Sequence, residues 1–342
     1  MQRGGWRRFV LLLVLGCDSQ GRGLSSIRVE PVVTLGAASG DGAIATTPVV
    51  GARHPGGFRV VIPAASAIGT LPIIFDSAGR YLGSLRGNDS PLGAFNGPMF
   101  SRLGPGDSIW VFDNSARVLV FGPERDYVRT FMLPEVVRDG MLLPDGRLIV
   151  TSDSGGVIQL VESTGKLVRT MGAQDSSGRL VNQGHSIVTA IGGTFWTTTV
   201  AGRWRLEHWD TAGALLGSVE PQATWFPAEP RDGLAAVVAG DRPPAPRIVA
   251  AWTDASNRLW SVGEVADQRW KPGVAVTDGD KYFDTIIEVR NLTAGTLIAM
   301  SRLDNHYSSL AEPGVLVHVI RTSAGWQRAE LMRVVFDETS RP

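Results

Sequence analysis

The chain carries several groups that could do chemistry, and their spacing limits what each can do. Five histidines, His54, His185, His208, His306 and His318, are scattered along it. None falls in an HExxH or other close metal-ligand spacing. His208 stands in an apparent strand with Trp204, Leu206 and Trp209, where a packed or rim imidazole is expected. Asp278, Asp280 and Asp284 could offer oxygens to Ca²⁺. Their spacing lacks the turn glycine and distal Glu of an EF-hand loop. No cofactor is expected, and calcium is the one ion this acidic stretch could admit. A more coherent set is Arg138, Asp139, His185, Ser186, Arg247, His306 and Tyr307, each at or just before the start of a short apolar run. If those starts converge, they form a polar ring suited to a small anionic or sugar ligand. The bland alternative is the ordinary polar lining of a water-filled channel.

Whether they converge depends on the elements that carry them. Charged residues make up 19% of the chain and hydrophobic ones 43%, the balance of a folding chain and not a disordered one. Formal net charge is zero and no basic stripe stands out, so nothing favours nucleic acid as a partner. Short runs of Val, Ile, Leu, Thr and Trp alternate with Gly, Asp, Asn and Pro, the pattern of an all-β chain. One unit is clear. Met99–Leu103, Ser108–Phe112, Arg117–Phe121 and Tyr127–Leu133 read as four strands joined by tight turns. Comparable units begin at Asp139, Ile187 and Ile248, and a less regular one begins near Ala43. A last unit from Tyr307 is one strand short.

Four antiparallel strands per unit, repeating every 40 to 50 residues or so, make propeller blades. Six units fill residues 27–338. Ile27–Leu35 is expected to supply the missing strand beside the carboxy-terminal one and so close the ring. A β-sandwich is the competing architecture. In a propeller the first strand of each blade lines the central channel, which brings the polar set together at one mouth. The longer connections, including 172–184, 221–246 and 264–284, would then share one face. They carry Trp225, Phe226, Trp270, Tyr282 and Phe283, with Arg231, Arg242, Arg269 and Lys271 nearby. Such aromatics suit a protein or glycan surface. They would equally serve as small cores that hold the long loops down.

The amino terminus carries a different message. Arg3, Arg7 and Arg8 precede the apolar run Phe9–Leu15, which is far short of the ~20 residues of a membrane span. Residues 1–16 are read as a cleaved signal. Val14-Leu15-Gly16-Cys17 resembles the lipobox of bacterial lipoproteins. That resemblance implies lipidation of Cys17 and a cell-envelope location, with residues 17–26 as a tether. The membrane would be met through the lipid anchor alone, in a leaflet the sequence leaves open. Cys17 is the only cysteine, so no internal disulfide can form.

Further motifs carry resemblances of their own. Asp113-Asn114-Ser115-Ala116-Arg117-Val118-Leu119-Val120-Phe121 resembles the end of an NHL repeat, and Pro91-Leu92-Gly93-Ala94-Phe95 followed by Pro98 resembles its preceding loop. The whole chain is similar to bacterial six-bladed β-propeller lipoproteins. Ser152-Asp153-Ser154-Gly155-Gly156 resembles the nucleophile loop of chymotrypsin-like proteases, but it falls in a blade turn and the two-barrel pattern with an upstream catalytic His is absent. Three functions remain open, because fold does not choose among them. One is a module that binds an envelope protein or glycan. Another is a lyase or lactonase-like enzyme that uses the channel residues, with or without a divalent metal. The third is an architectural subunit of an envelope complex.

Overall fold

The computed structural model describes residues 26–37, 39–63, 70–87, 93–152, 157–172, 185–191, 193–199, 204–226, 243–272 and 279–337. Cys17 and the signal, Arg231, Arg242, Asp278, residues 153–156 and the side chain of His185 lie outside the described residues. The architecture is a six-bladed β-propeller, each blade a four-stranded antiparallel sheet. Blade 1 contains β2 (Pro48–Val50), β3 (Phe58–Pro63), β4 (Ile73–Asp76) and β5 (Tyr81–Ser84). Blade 2 contains β6 (Pro98–Leu103), β7 (Ile109–Asp113), β8 (Arg117–Phe121) and β9 (Tyr127–Met132). Blade 3 contains β10 (Val137–Leu142), β11 (Leu148–Ser152), β12 (Ile158–Val161) and β13 (Leu167–Met171). Blade 4 contains β14 (His185–Ile191), β15 (Thr194–Thr199), β16 (Leu206–Asp210) and β17 (Leu215–Val219). Blade 5 contains β18 (Arg247–Thr253), β19 (Arg258–Ala266), β20 (Phe283–Asn291) and β21 (Leu297–Leu303).

Blade 6 joins the two ends of the fold. Its strands β22 (Tyr307–Glu312), β23 (Val315–Arg321) and β24 (Gln327–Asp337) are completed by β1 (Ser26–Leu35). β1 runs antiparallel to β24, from Ser26 opposite Asp337 to Leu35 opposite Ala329. A bulge falls between Pro31 and Val33, where proline removes a ladder donor. The fold therefore spans residues 26–337, and the expected closing strand is present. The first strands β2, β6, β10, β14, β18 and β22 each touch the first strands of both flanking blades, so they form a closed ring about the axis. The 1–2 and 3–4 hairpins emerge on one face. The 2–3 connections and the links between blades emerge on the other.

Strand composition follows position in the blade. β3, β7, β8, β11 and β12 are buried along their whole length, because second and third strands are covered by neighbouring blades. The fourth strands face solvent; β13 and β17 expose four residues each. One turn recurs at both faces. Asp76, Asp113 and Asp254 each accept backbone N–H bonds two and four residues on, and bind the side chain of the Arg four residues on. In each, the fourth residue (Gly79, Ala116, Asn257) is left-handed. The Asp-Asn-Ser-Ala-Arg string is therefore a turn clip, and its carboxylate is committed to the backbone it folds.

Candidate functional site

The polar residues expected at the channel mouth divide into two groups. Asp139, on β10, accepts from Arg102 Nη2 at 2.6 Å, from the Ser186 hydroxyl at 2.8 Å and from the Ile187 and Gly140 N–H groups at 2.9 and 2.8 Å. Its acceptor capacity is used, and it stitches the inner strands of blades 2, 3 and 4 together. It positions strands and is not open to a ligand. Arg138 beside it is exposed.

The second group lies where blades 5 and 6 meet. Arg247 opens β18 and stands opposite Glu264 in the β18–β19 register. Glu264 is 0% exposed. Its Oε2 takes a short bond from Arg247 Nε, and its Oε1 lies 2.6 Å from His306 Nε2. Burial pushes the Glu264 carboxyl up, but the His306 hydrogen bond and the Arg247 charge outweigh it and hold the group below its ordinary value. The His306 ring stacks on Phe283, and Gly279 lies close to its Nδ1. A Cβ at Gly279 would lie 2.4 Å from His306 Nδ1, so only glycine allows this approach.

A second carboxylate–imidazole group adjoins the first. The short helix α1 (Gly279–Tyr282) carries Asp280, whose Oδ1 accepts the His306 backbone N–H at 2.8 Å. Both Asp280 oxygens lie within 3.0–3.1 Å of His318 Nε2, and His318 Nδ1 is 3.3 Å from Glu330. Tyr307, His318 and Glu330 are cross-strand neighbours on β22, β23 and β24. Burial lowers the His318 pKa, but Asp280 and Glu330 together raise it above its ordinary value. Asp280 moves the other way: burial raises it, and His318 with the His306 N–H brings it below the usual range. Burial pushes the Tyr307 phenol up to about 12.

The two described carboxylates of the acidic stretch are each taken up by neighbours. Asp284 pairs with Arg302 at 2.6 Å and accepts the Gln268 N–H at 3.3 Å, while Asp280 is held by the histidines. Among the described residues no group of three His, Cys, Asp or Glu is arranged to hold a metal.

Of the aromatics expected to form a surface on the long connections, three are withdrawn from it by packing. Phe226, Tyr282 and Phe283 are buried. Trp225 and Trp270 are half-buried, with their indole nitrogens inside. Trp225 lies between Trp204 and Phe226, at 5.7 and 5.4 Å between ring centroids, and its ring rests on Gly263. Phe226, Tyr282 and Phe283 turn inward because a long connection needs a core of its own, and large rings supply most of its apolar area. Arg269, by contrast, is exposed and paired with Asp267.

Several site residues were not evident from the sequence. Glu264 falls in the stretch 264–284 that reads as a loop, yet β19 runs on to Ala266 and β20 begins at Phe283. Val262 and Val265 around it were the available signal of a continuing strand. His318 and Glu330 sit within strands and carry no motif; only their register joins them to Asp280.

No protein-family model matches the chain, and no curated protein matches it. Solved structures do. A member of the DUF4221 family from Bacteroides vulgatus superposes with a TM-score of 0.60 at 10% identity, covering 92% of this chain and 100% of that one. An exported protein from Bacteroides fragilis gives 0.58 at 8%, covering 93% and 98%. A catalytically inactive histidine-to-alanine variant of virginiamycin B lyase from Staphylococcus aureus, with quinupristin, gives 0.52 at 10%, covering 91% and 100%. At such identities the likeness is one of fold alone, and it agrees with the propeller that the sheet topology shows.

Proposed function

We propose that the chain is an exported propeller, anchored through Cys17 at the bacterial cell envelope, that binds an envelope protein or glycan at the channel mouth of its long-connection face. The observation that supports this reading is the Arg247–Glu264–His306 group. A carboxylate wholly removed from water is compensated by two groups at the opening of an inner strand. Apolar residues of similar volume would serve stability at least as well there, so the charges point to a use beyond folding. The Arg247 side chain remains 45% exposed while Glu264 fixes its orientation. A guanidinium held this way suits carboxylates, phosphates or sugar hydroxyls. With Phe226, Tyr282 and Phe283 folded inward, the mouth takes over the contact they would have made.

The test is crosslinked affinity capture of the native lipoprotein from envelopes, beside binding to a panel of envelope glycans. One protein or glycan should be retained by the wild type and lost with Arg247→Ala. Equal retention by Arg247→Ala sinks the reading. Stoichiometric recovery of one complex, indifferent to that substitution, identifies an architectural subunit instead.

The 2.6 Å contact between His306 and buried Glu264 favours a second reading, an enzyme. A carboxylate that orients an imidazole is the arrangement general-base catalysis uses. A lyase or lactonase-like reaction, with or without a divalent metal, would require α1 to move off His306 Nδ1. Opening of a cyclic ester, by hydrolysis or by elimination, that vanishes in His306→Ala would establish it, and no turnover by wild type in either mode would end it.

A further inference from the structure

Every large apolar side chain that stands exposed among the described residues lies on the outermost strand of a blade. In blade after blade these residues come at the beginning of that strand, just past the 3–4 turn. Tyr81 and Leu82 open β5, Leu167 and Val168 open β13, and Leu215 and Leu216 open β17. An apolar outer edge is a liability unless something covers it.

Three of these edges adjoin around the point where the chain enters the fold. β1 packs on β21, and Gly79, in the turn before β5, lies against Val33 and Thr34 of β1. Val32, Tyr81, Leu82, Leu297 and Met300 therefore form one arc across blades 5, 6 and 1, each between 38% and 46% exposed. β1 is itself an outermost strand, and it begins at Ser26 on this rim. Only residues 18–25 separate Ser26 from Cys17, a reach of about 30 Å at full extension.

We infer that this arc rests on the lipid surface to which Cys17 holds the chain, so that the propeller stands on its rim with both faces open. The inference rests on the lipid-anchor reading above. A short tether keeps the arc at high effective concentration beside the bilayer, so weak partition of half-exposed side chains is enough to seat it. A tyrosine at the edge of the arc suits the interface between headgroups and acyl chains. Leu167 and Val168, with the same chemistry, belong to blade 3, across the ring from blade 6. They remain in water.

The contrast between the two sides supplies the test. Because lipidation occupies Cys17, a second cysteine (Leu297→Cys or Leu167→Cys) can carry an environment-sensitive fluorophore in the full-length lipoprotein. The protein is reconstituted into phosphatidylethanolamine–phosphatidylglycerol vesicles with and without brominated lipid. It should float with the vesicles, with the label at 297 quenched and the label at 167 unquenched. The exposed substitutions Tyr81→Ser, Leu82→Ser and Leu297→Ser together should leave flotation and fold unchanged. They should abolish the vesicle-induced protection of arc amides from hydrogen exchange. Flotation with both labels quenched alike, or neither quenched, overturns the seating while leaving the anchor intact. Protection at 297 in native envelopes but not in protein-free vesicles assigns the arc to a protein partner and overturns it too. Failure to float removes the anchor and the seating together, and leaves binding at the channel mouth to its own test.

Discussion

Blades 1 and 2 and blades 4 and 5 share a fold but fill it differently. In the first pair the middle strands bury Val60, Val61, Ile62, Val111, Phe112, Val118 and Leu119. Their buried charges sit at ends and turns: Asp113 clips Arg117, and Arg59 reaches across to Glu312 of blade 6 at 2.6 Å. In the second pair the same strands bury Thr197, Thr198, Glu207, Glu264, Thr285 and Glu288. Each of those carboxylates needs a partner: Arg205 at 3.2 Å for Glu207, Arg290 at 3.0 Å for Glu288, and Arg247 with His306 for Glu264. The apolar blades are held by area removed from water, which is indifferent to detail. Blades 4 and 5 bury apolar side chains as well, among them Trp209, Trp260, Val262, Ile287 and Val289, and add pairings that fail when one partner is lost. Sequence repeats of equal length thus conceal walls with and without buried carboxylates inside their middle strands, and the candidate site lies in the kind that has them.

The largest effect should come from the apolar wall. Phe112→Ala, at a 0% exposed position, should cost about 3–5 kcal/mol in urea unfolding and leave ligand capture by any remaining folded protein unchanged. Glu264→Ala should cost about 3 kcal/mol by leaving Arg247 and His306 without their shared partner, and should also abolish capture. The triple change Glu264→Leu, Arg247→Leu, His306→Leu, which removes all three members of the group, sharpens the contrast. Stability should return to within about 1 kcal/mol of wild type while capture stays lost. If capture returns as well, the two walls do not differ in function.

The pH response separates the regions next. His318 has a folded pKa raised above its ordinary 6.5, so the native state holds the proton more tightly than the unfolded chain. Its contribution is fully present below about pH 6.5 and is lost as pH rises through the raised value. Asp280 and Glu264 are depressed, so theirs is present above the ordinary carboxylate range and is lost as pH falls through their lowered values. Thermal unfolding should therefore show a decline above neutral pH that disappears in His318→Gln. Persistence of the decline would remove His318 from the account. The smallest effect belongs to blade 2. Ala116 is held at φ 56°, a conformation that disfavours a side chain. Ala116→Gly should stabilise by about 0.5 kcal/mol, the relief of strain less the added backbone entropy. A lower melting temperature would refute that.

Much of the fold is legible in particular residues. Asp113, Ala116 and Arg117 announce a turn because the clip is local: donors and acceptor lie within five residues. Ile27–Leu35 announces a closing strand because six units leave one strand missing. β2 escapes notice because three residues, Pro48–Val50, carry no period. The site is less legible. Arg247, His306 and Tyr307 stand at strand starts, where a repeat can be read. Glu264, His318 and Glu330 stand inside strands, and nothing local distinguishes a buried paired carboxylate from an exposed one.

The sequence by itself determined the blade count, the closing strand and the tight turns. These follow from apolar periodicity and short-range hydrogen bonding, which act within a few dozen residues. Only the tertiary structure decided that Phe226, Tyr282 and Phe283 are buried, that Asp139 is consumed in joining three inner strands, and that Glu264, His306, Asp280 and His318 meet at one seam. Those outcomes depend on pairings between residues tens of positions apart. Whether such a side chain is exposed, saturated or partnered is settled by ring closure and register, which bring distant strands together in only one alignment.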